Sequence, residues 1–183
     1  MSSIQKLLGP YNICARFAPG YLFLLSIGWI CGEVDFIDFE SNSILYAGTI
    51  IMLSGIVGFM SSSVIKIIES ILWRVFGNPT IIYLRFSNNE LYKNMVDKYK
   101  NDKKILIEIL KETRGDDRLF WKNISYGFFR NSIVLVLVLS YLLCQKGFIF
   151  YSVAASLFII FMAFISSIYY AKQAIDSYIE LRR

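Results

Sequence analysis

Apolar positions in this chain come in long blocks. Residues 17–30, 41–65, 131–145 and 147–171 contain no Asp, Glu, Lys or Arg. Two of these windows are 25 residues long, and a helix crossing a bilayer needs roughly 20 apolar residues. Between the second and third blocks the pattern changes to spacings of three and four. Ile67, Ile68, Ile71, Leu72 and Val75 carry the second block onward as a helix, and Ile105, Leu106, Ile109 and Leu110 form a later stripe. Breakers punctuate this middle region. Gly77-Asn78-Pro79-Thr80 ends one helix, and Ser87 with Glu90 three residues on reads as a capping box. Asn101-Asp102 caps the next helix, and Gly115 followed by Asp116-Asp117 separates it from a helix entering the third block. No β-type alternation and no internal repeat is visible. Pro19-Gly20 predicts a short or kinked first span.

The pattern predicts an all-α integral membrane protein: four transmembrane helices in two hairpins joined by a helical cytoplasmic segment. Residues 1–66 form an N-terminal amphipathic segment and the first hairpin, 67–123 the cytoplasmic helical region, and 124–183 the second hairpin and a cytoplasmic tail. Composition agrees, with 56% hydrophobic and 18% charged residues in 183, against about 45–50% and 25% in soluble domains. Disorder, a collagen-like fibre and a disulfide scaffold are excluded. No small-residue cleavage site follows the first apolar block, so it reads as a retained span.

Charge sets the orientation. Residues 66–130 hold 13 basic and 8 acidic side chains, whereas Glu33, Asp35, Asp38 and Glu40 stand between the first two blocks without a basic residue. Only Lys146 lies between the third and fourth blocks. Basic residues collect on the cytoplasmic side, which puts both termini and the middle region in the cytoplasm of a multi-pass membrane protein.

The chemistry is narrow. There is no histidine, and Cys14, Cys31 and Cys144 are too dispersed for a CxxC site. No phosphate loop, nucleophile elbow, HExxH or dinucleotide fingerprint occurs, so the expectation is a non-enzyme with no metal and no cofactor. Asp116-Asp117 reads as a helix cap or as a weak Mg²⁺ site. Arg85, Lys93, Arg114, Arg118, Lys122 and Arg130, interleaved with aromatics, are candidate ligand-binding residues, because guanidinium groups pair with phosphates and aromatic rings stack on bases. Membrane lipids and the requirements of orientation account for the same residues. Ser54, Gly58 and Ser62 in the second block, with Ser156, Ala163 and Ser167 in the fourth, form small-residue stripes suited to helix packing or to lining a pore in a homo-oligomer. Gly127 is a candidate hinge. No block has an ionisable residue at its middle, which argues against proton-coupled transport.

Three stretches carry a resemblance: Arg16-Phe17-Ala18-Pro19-Gly20; Gly77-Asn78-Pro79-Thr80 with Leu84-Arg85; and Asn123-Ile124-Ser125-Tyr126-Gly127-Phe128-Phe129-Arg130-Asn131. Together they resemble small four-helix membrane effectors of bacterial anti-phage defence, the Hailong-type oligonucleotide-controlled channels first and the Kiwa-type membrane sensors second. The resemblance implies a pore-forming abortive-infection effector, a homo-oligomer with four subunits favoured. It also implies an oligonucleotide or nucleotide ligand and a partner nucleotidyltransferase. The alternative it leaves is a non-conducting sensor or anchor that recruits a soluble defence partner.

Overall fold

A computed structural model describes residues 9–32 and 43–182. The expectations for the acidic residues between the first two blocks lie outside them. Every regular element among the described residues is helical. We number them α1 (Pro10–Cys31), α2 (Ser43–Phe76), α3 (Pro79–Ser87), α4 (Asn89–Tyr99), α5 (Asp102–Glu112), α6 (Asp117–Gln145) and α7 (Ile149–Glu180). Four candidate spans are long and apolar enough to cross a membrane: α1, a stretch from within α2 to the end of α3, α6 and α7. At 1.5 Å per residue the 34-residue α2 is about 51 Å long, well beyond a hydrocarbon core of about 30 Å.

Most of the punctuation falls where the sequence puts it. Gly77, at φ 87°, ends α2, and Asn78 caps α3 by accepting the Thr80 N–H, with Pro79 at the first helical position. Asn101 caps α5 through the Lys103 N–H at 2.8 Å. Gly147, also at φ 87°, closes α6 in a Schellman turn: Phe148 N–H donates to Leu143 and Gly147 N–H to Cys144. One boundary moves. Ser87 is the last residue of α3, and Asn88 rather than Ser87 caps α4, accepting the Leu91 N–H at 3.0 Å.

The chain divides into two compact units. One holds residues 1–67 and 127–163. In it α1 packs antiparallel on α2 so closely that a Cβ on Gly20 would meet the Ser54 carbonyl and one on Gly58 the Arg16 carbonyl. Within α1, Ile13–Phe17 form a π-helical turn, with the Ala18 N–H reaching the Ile13 carbonyl. The cause lies two residues further on. Pro19 has no N–H to give the Ala15 carbonyl four residues back, and the fully buried Asn131 side chain of α6 donates to that carbonyl instead, at 2.6 Å. The sequence predicted a short or kinked span here. The finding is a 22-residue helix carrying a π-turn that a neighbouring amide completes.

The second unit holds residues 68–126 and 164–183. Its core is Ile81 and Leu84 of α3, Met95 of α4, Ile105 and Ile109 of α5, Leu119 of α6, and Ala174, Ile175 and Tyr178 of α7. The end of the last helix is therefore part of this core, where the sequence suggested only a tail. Its last residues are also clamped. Arg182 donates to both carboxylate oxygens of Glu112, at 2.9 and 3.2 Å, and stacks its guanidinium 4.4 Å from the Tyr178 ring centre.

Candidate functional site

Five of the six basic candidates lie in the second unit. Arg85 donates to the Tyr92 hydroxyl at 2.8 Å and stacks on that ring at 4.9 Å, and the hydroxyl in turn donates to Asp102 at 3.2 Å. This chain ties α3, α4 and α5 together. Arg118 is bound on both sides, by Asp116 at 3.3 Å and Glu180 at 2.6 Å, and Lys122, one turn on along α6, lies 5.4 Å from the Tyr169 ring centre. Lys93 and Arg114 are exposed and carry no hydrogen bond or ion pair with a described residue. Arg130 belongs to the other unit, is buried, and donates from Nε to Asn131 Oδ1 at 3.2 Å. Of the six candidates, the structure brings Arg118 and Lys122 onto one turn of one helix.

Asp116 works as a cap. Its carboxylate accepts the Arg118 N–H at 2.8 Å and the Ser177 hydroxyl. The Ser177 hydrogen bond, with the Arg118 backbone and side chain, outweighs the opposing effect of desolvation and holds the carboxyl down at about 2. Glu112 is likewise lowered, first by Arg182.

The small-residue stripes are engaged within the chain. Ser54 is buried and donates to the Ile50 carbonyl at 2.6 Å, Gly58 lies under the Arg16 carbonyl, and Ser62 is buried. Ser140 of α6 and Ser152 of α7 exchange hydroxyl-to-carbonyl bonds at 3.1 and 2.7 Å, and Ser156 donates to Ser140 Oγ at 2.8 Å. Ala163 is buried and Ser167 half-buried. At Gly127, α6 stays helical, and a Cβ there would come within 2.9 Å of both Ala15 Cβ and Tyr11 Oη. Close packing is thus what this glycine provides.

A buried polar contact escaped the sequence reading. Glu69 of α2 accepts the Tyr126 hydroxyl of α6, and Tyr126 stacks on Tyr170 of α7 with ring centres 5.8 Å apart. The signal for it was present: steps of three and four from Ser54 through Gly58, Ser62 and Ile65 arrive at Glu69, on the same buried face. Comparison with protein-family models, with curated proteins and with solved structures gives no match for this chain.

Proposed function

We propose that this chain is a multi-pass protein of the bacterial inner membrane, with both termini cytoplasmic, that assembles into a homo-oligomeric ion channel. The helical cytoplasmic unit gates it on binding a nucleotide-type ligand or a partner, and opening depolarises the membrane. The anti-phage setting, the partner nucleotidyltransferase and a four-subunit ring come from the sequence resemblance.

The observation that carries the reading is the continuity of three helices. α2, α6 and α7 each contribute residues to both compact units without a break, so a ligand that rearranges the second unit acts on rods that continue into the apolar windows. Only 22% to 33% of those windows is buried within the chain, which leaves broad apolar surfaces for lipid and for further copies. Lys93 and Arg114, which are exposed and carry no hydrogen bond or ion pair with a described residue, are open to a phosphate-bearing ligand.

The test is expression with a potential-sensitive dye, with and without phage and the neighbouring gene products. Loss of potential that requires the protein supports the channel. An unchanged potential under every condition refutes it.

A second reading draws on the packing of Ser54, Gly58 and Ser62. Their use within the chain favours a non-conducting membrane sensor that recruits a soluble partner through residues 66–130. It predicts stable co-purification with that partner and no conductance in planar bilayers.

A further inference from the structure

Among its described residues, the first unit holds a cation without a counter-ion. Its described residues, 9–32, 43–67 and 127–163, include Arg16, Lys66, Arg130 and Lys146 but no Asp or Glu. Arg16 forms no ion pair with any described residue. Its guanidinium is instead held by neutral groups. Nη1 donates to Asn12 Oδ1 at 2.6 Å, and Cζ lies 4.7 Å from the Phe59 ring centre and 5.6 Å from that of Tyr11. Nε is buried and has no hydrogen-bond partner. This arrangement fixes the plane of the guanidinium and leaves its charge without an acidic partner among the described residues, at a cost an apolar setting does not offset by itself.

A second orphan lies at the same level. The antiparallel register sets Gly20 against Ser54 and Gly58, and Arg16 against Gly58; extended by one helical turn on each helix, it puts Ser62 at the level of Asn12. Long side chains on a helix lean toward its N-terminus, and the bond to Asn12 shows that Arg16 does so. The Ser62 hydroxyl, on a residue only 2% exposed, is also without a partner. One oriented guanidinium with a spare Nε–H and one buried hydroxyl with a spare O–H are donors awaiting an acceptor that carries negative charge.

The geometry points to a binding site for an anionic phosphate group between α1 and α2, with Arg16 as the charged anchor, Ser62 as the second donor, and Tyr11 and Phe59 holding the guanidinium in place. Its occupant is a phosphate of an anionic lipid headgroup or of a soluble phosphate compound. Planar guanidinium donors match phosphate oxygens, and anionic lipid enriches the cytoplasmic face where the membrane reading puts Arg16. The site rests on that reading.

The experiment uses the full chain in phosphatidylcholine vesicles with or without phosphatidylglycerol, followed by native mass spectrometry of the released protein. The unaltered chain is expected to retain phosphatidylglycerol, and Arg16→Gln to lose that retention by roughly tenfold or more, as for a charge-assisted hydrogen bond. Arg16→Lys, which keeps the charge without the fork, and Ser62→Ala fall between. These milder variants carry the test if Arg16→Gln fails to insert. A second arm offers inorganic phosphate to the protein in phosphatidylcholine alone; an adduct that Arg16→Gln abolishes supports the same site with a soluble source. Equal retention of both probes by the unaltered chain and the variants overturns the site. Extraction of the unaltered protein by carbonate overturns the membrane reading itself, so the two failures are distinguishable.

Discussion

Asn131 illustrates how much one side chain can be asked to do in an apolar setting. Its amide nitrogen supplies the donor that Pro19 withholds from the Ala15 carbonyl and its amide oxygen accepts from Arg130 Nε, while the backbone carbonyl of the same residue accepts the Ser61 hydroxyl. Asn131→Leu leaves the Ala15 carbonyl buried without a donor, and thermal unfolding in detergent is expected to show a loss of about 1–3 kcal/mol. The cause can be isolated. Pro19→Ala restores an N–H four residues from Ala15, so the double variant should recover roughly 1 kcal/mol of that loss as a coupling energy; purely additive losses would count against the proline account. Asp116 gives a pH dependence at the same scale. Its carboxyl is pushed down from 3.8 to about 2 in the folded chain, so the stabilisation it provides is complete above about pH 4 and disappears as pH falls toward 2. Asp116→Asn should remove that part of the acid sensitivity of the second unit, measured by circular dichroism between pH 5 and pH 2.

At the scale of elements, what the sequence made legible was whatever a local signal encodes. The apolar windows announce themselves by missing charge, and Gly77-Asn78-Pro79 and Asn101 by backbone chemistry confined to a few residues. The misplaced cap at Ser87 belongs to the same class: a Ser and an Asn stand side by side, and only the backbone turn decides which side chain reaches the Leu91 N–H. The π-turn in α1 was legible only in part. Pro19 signals a missing donor, but the group that compensates for it lies on another helix, 116 residues away from Ala15. Likewise the six basic candidates could be found by type but not by company. Glu180 reaches Arg118 from 62 residues away, and Tyr92 reaches Arg85 from the next helix. The close seam of α1 on α2 gives the element-scale prediction. Because a Cβ at Gly58 would overlap the Arg16 carbonyl, Gly58→Leu should separate the two helices and displace the Arg16 turn. Cysteine cross-linking between residues 17 and 55, which the native packing brings together, is expected to fall sharply in Gly58→Leu and to persist in Gly48→Leu, where a Cβ meets nothing within 4 Å.

For the whole molecule, the decisive feature is that the second unit is discontinuous in sequence. Lys172 and Asp176 follow the last apolar window and make its end look like a solvated tail, yet Ala174, Ile175 and Tyr178 between and beyond them are fully buried or nearly so. The same 32-residue helix thus supplies an apolar window and then a wall of the second unit's core. Residues 68–126 alone lack that wall and expose Leu84, Ile105 and Ile109. Large-to-small changes in such a core cost about 2–5 kcal/mol, and removing three contributing side chains at once exceeds what a region of this size can absorb. A chain ending after Gln173 keeps all four uncharged windows intact but loses Ala174, Ile175, Tyr178 and the Arg182 clamp on Glu112. It should therefore still resist carbonate extraction, while trypsin cuts rapidly at the lysines of α4 and α5 that the intact chain protects. If the proposed gating is right, this truncated form is also blind to its ligand, so its effect on membrane potential is fixed with or without phage. A truncated chain whose α4 and α5 remain protected would show that the middle region folds without α7, and the coupling of cap to spans through that helix would fail with it.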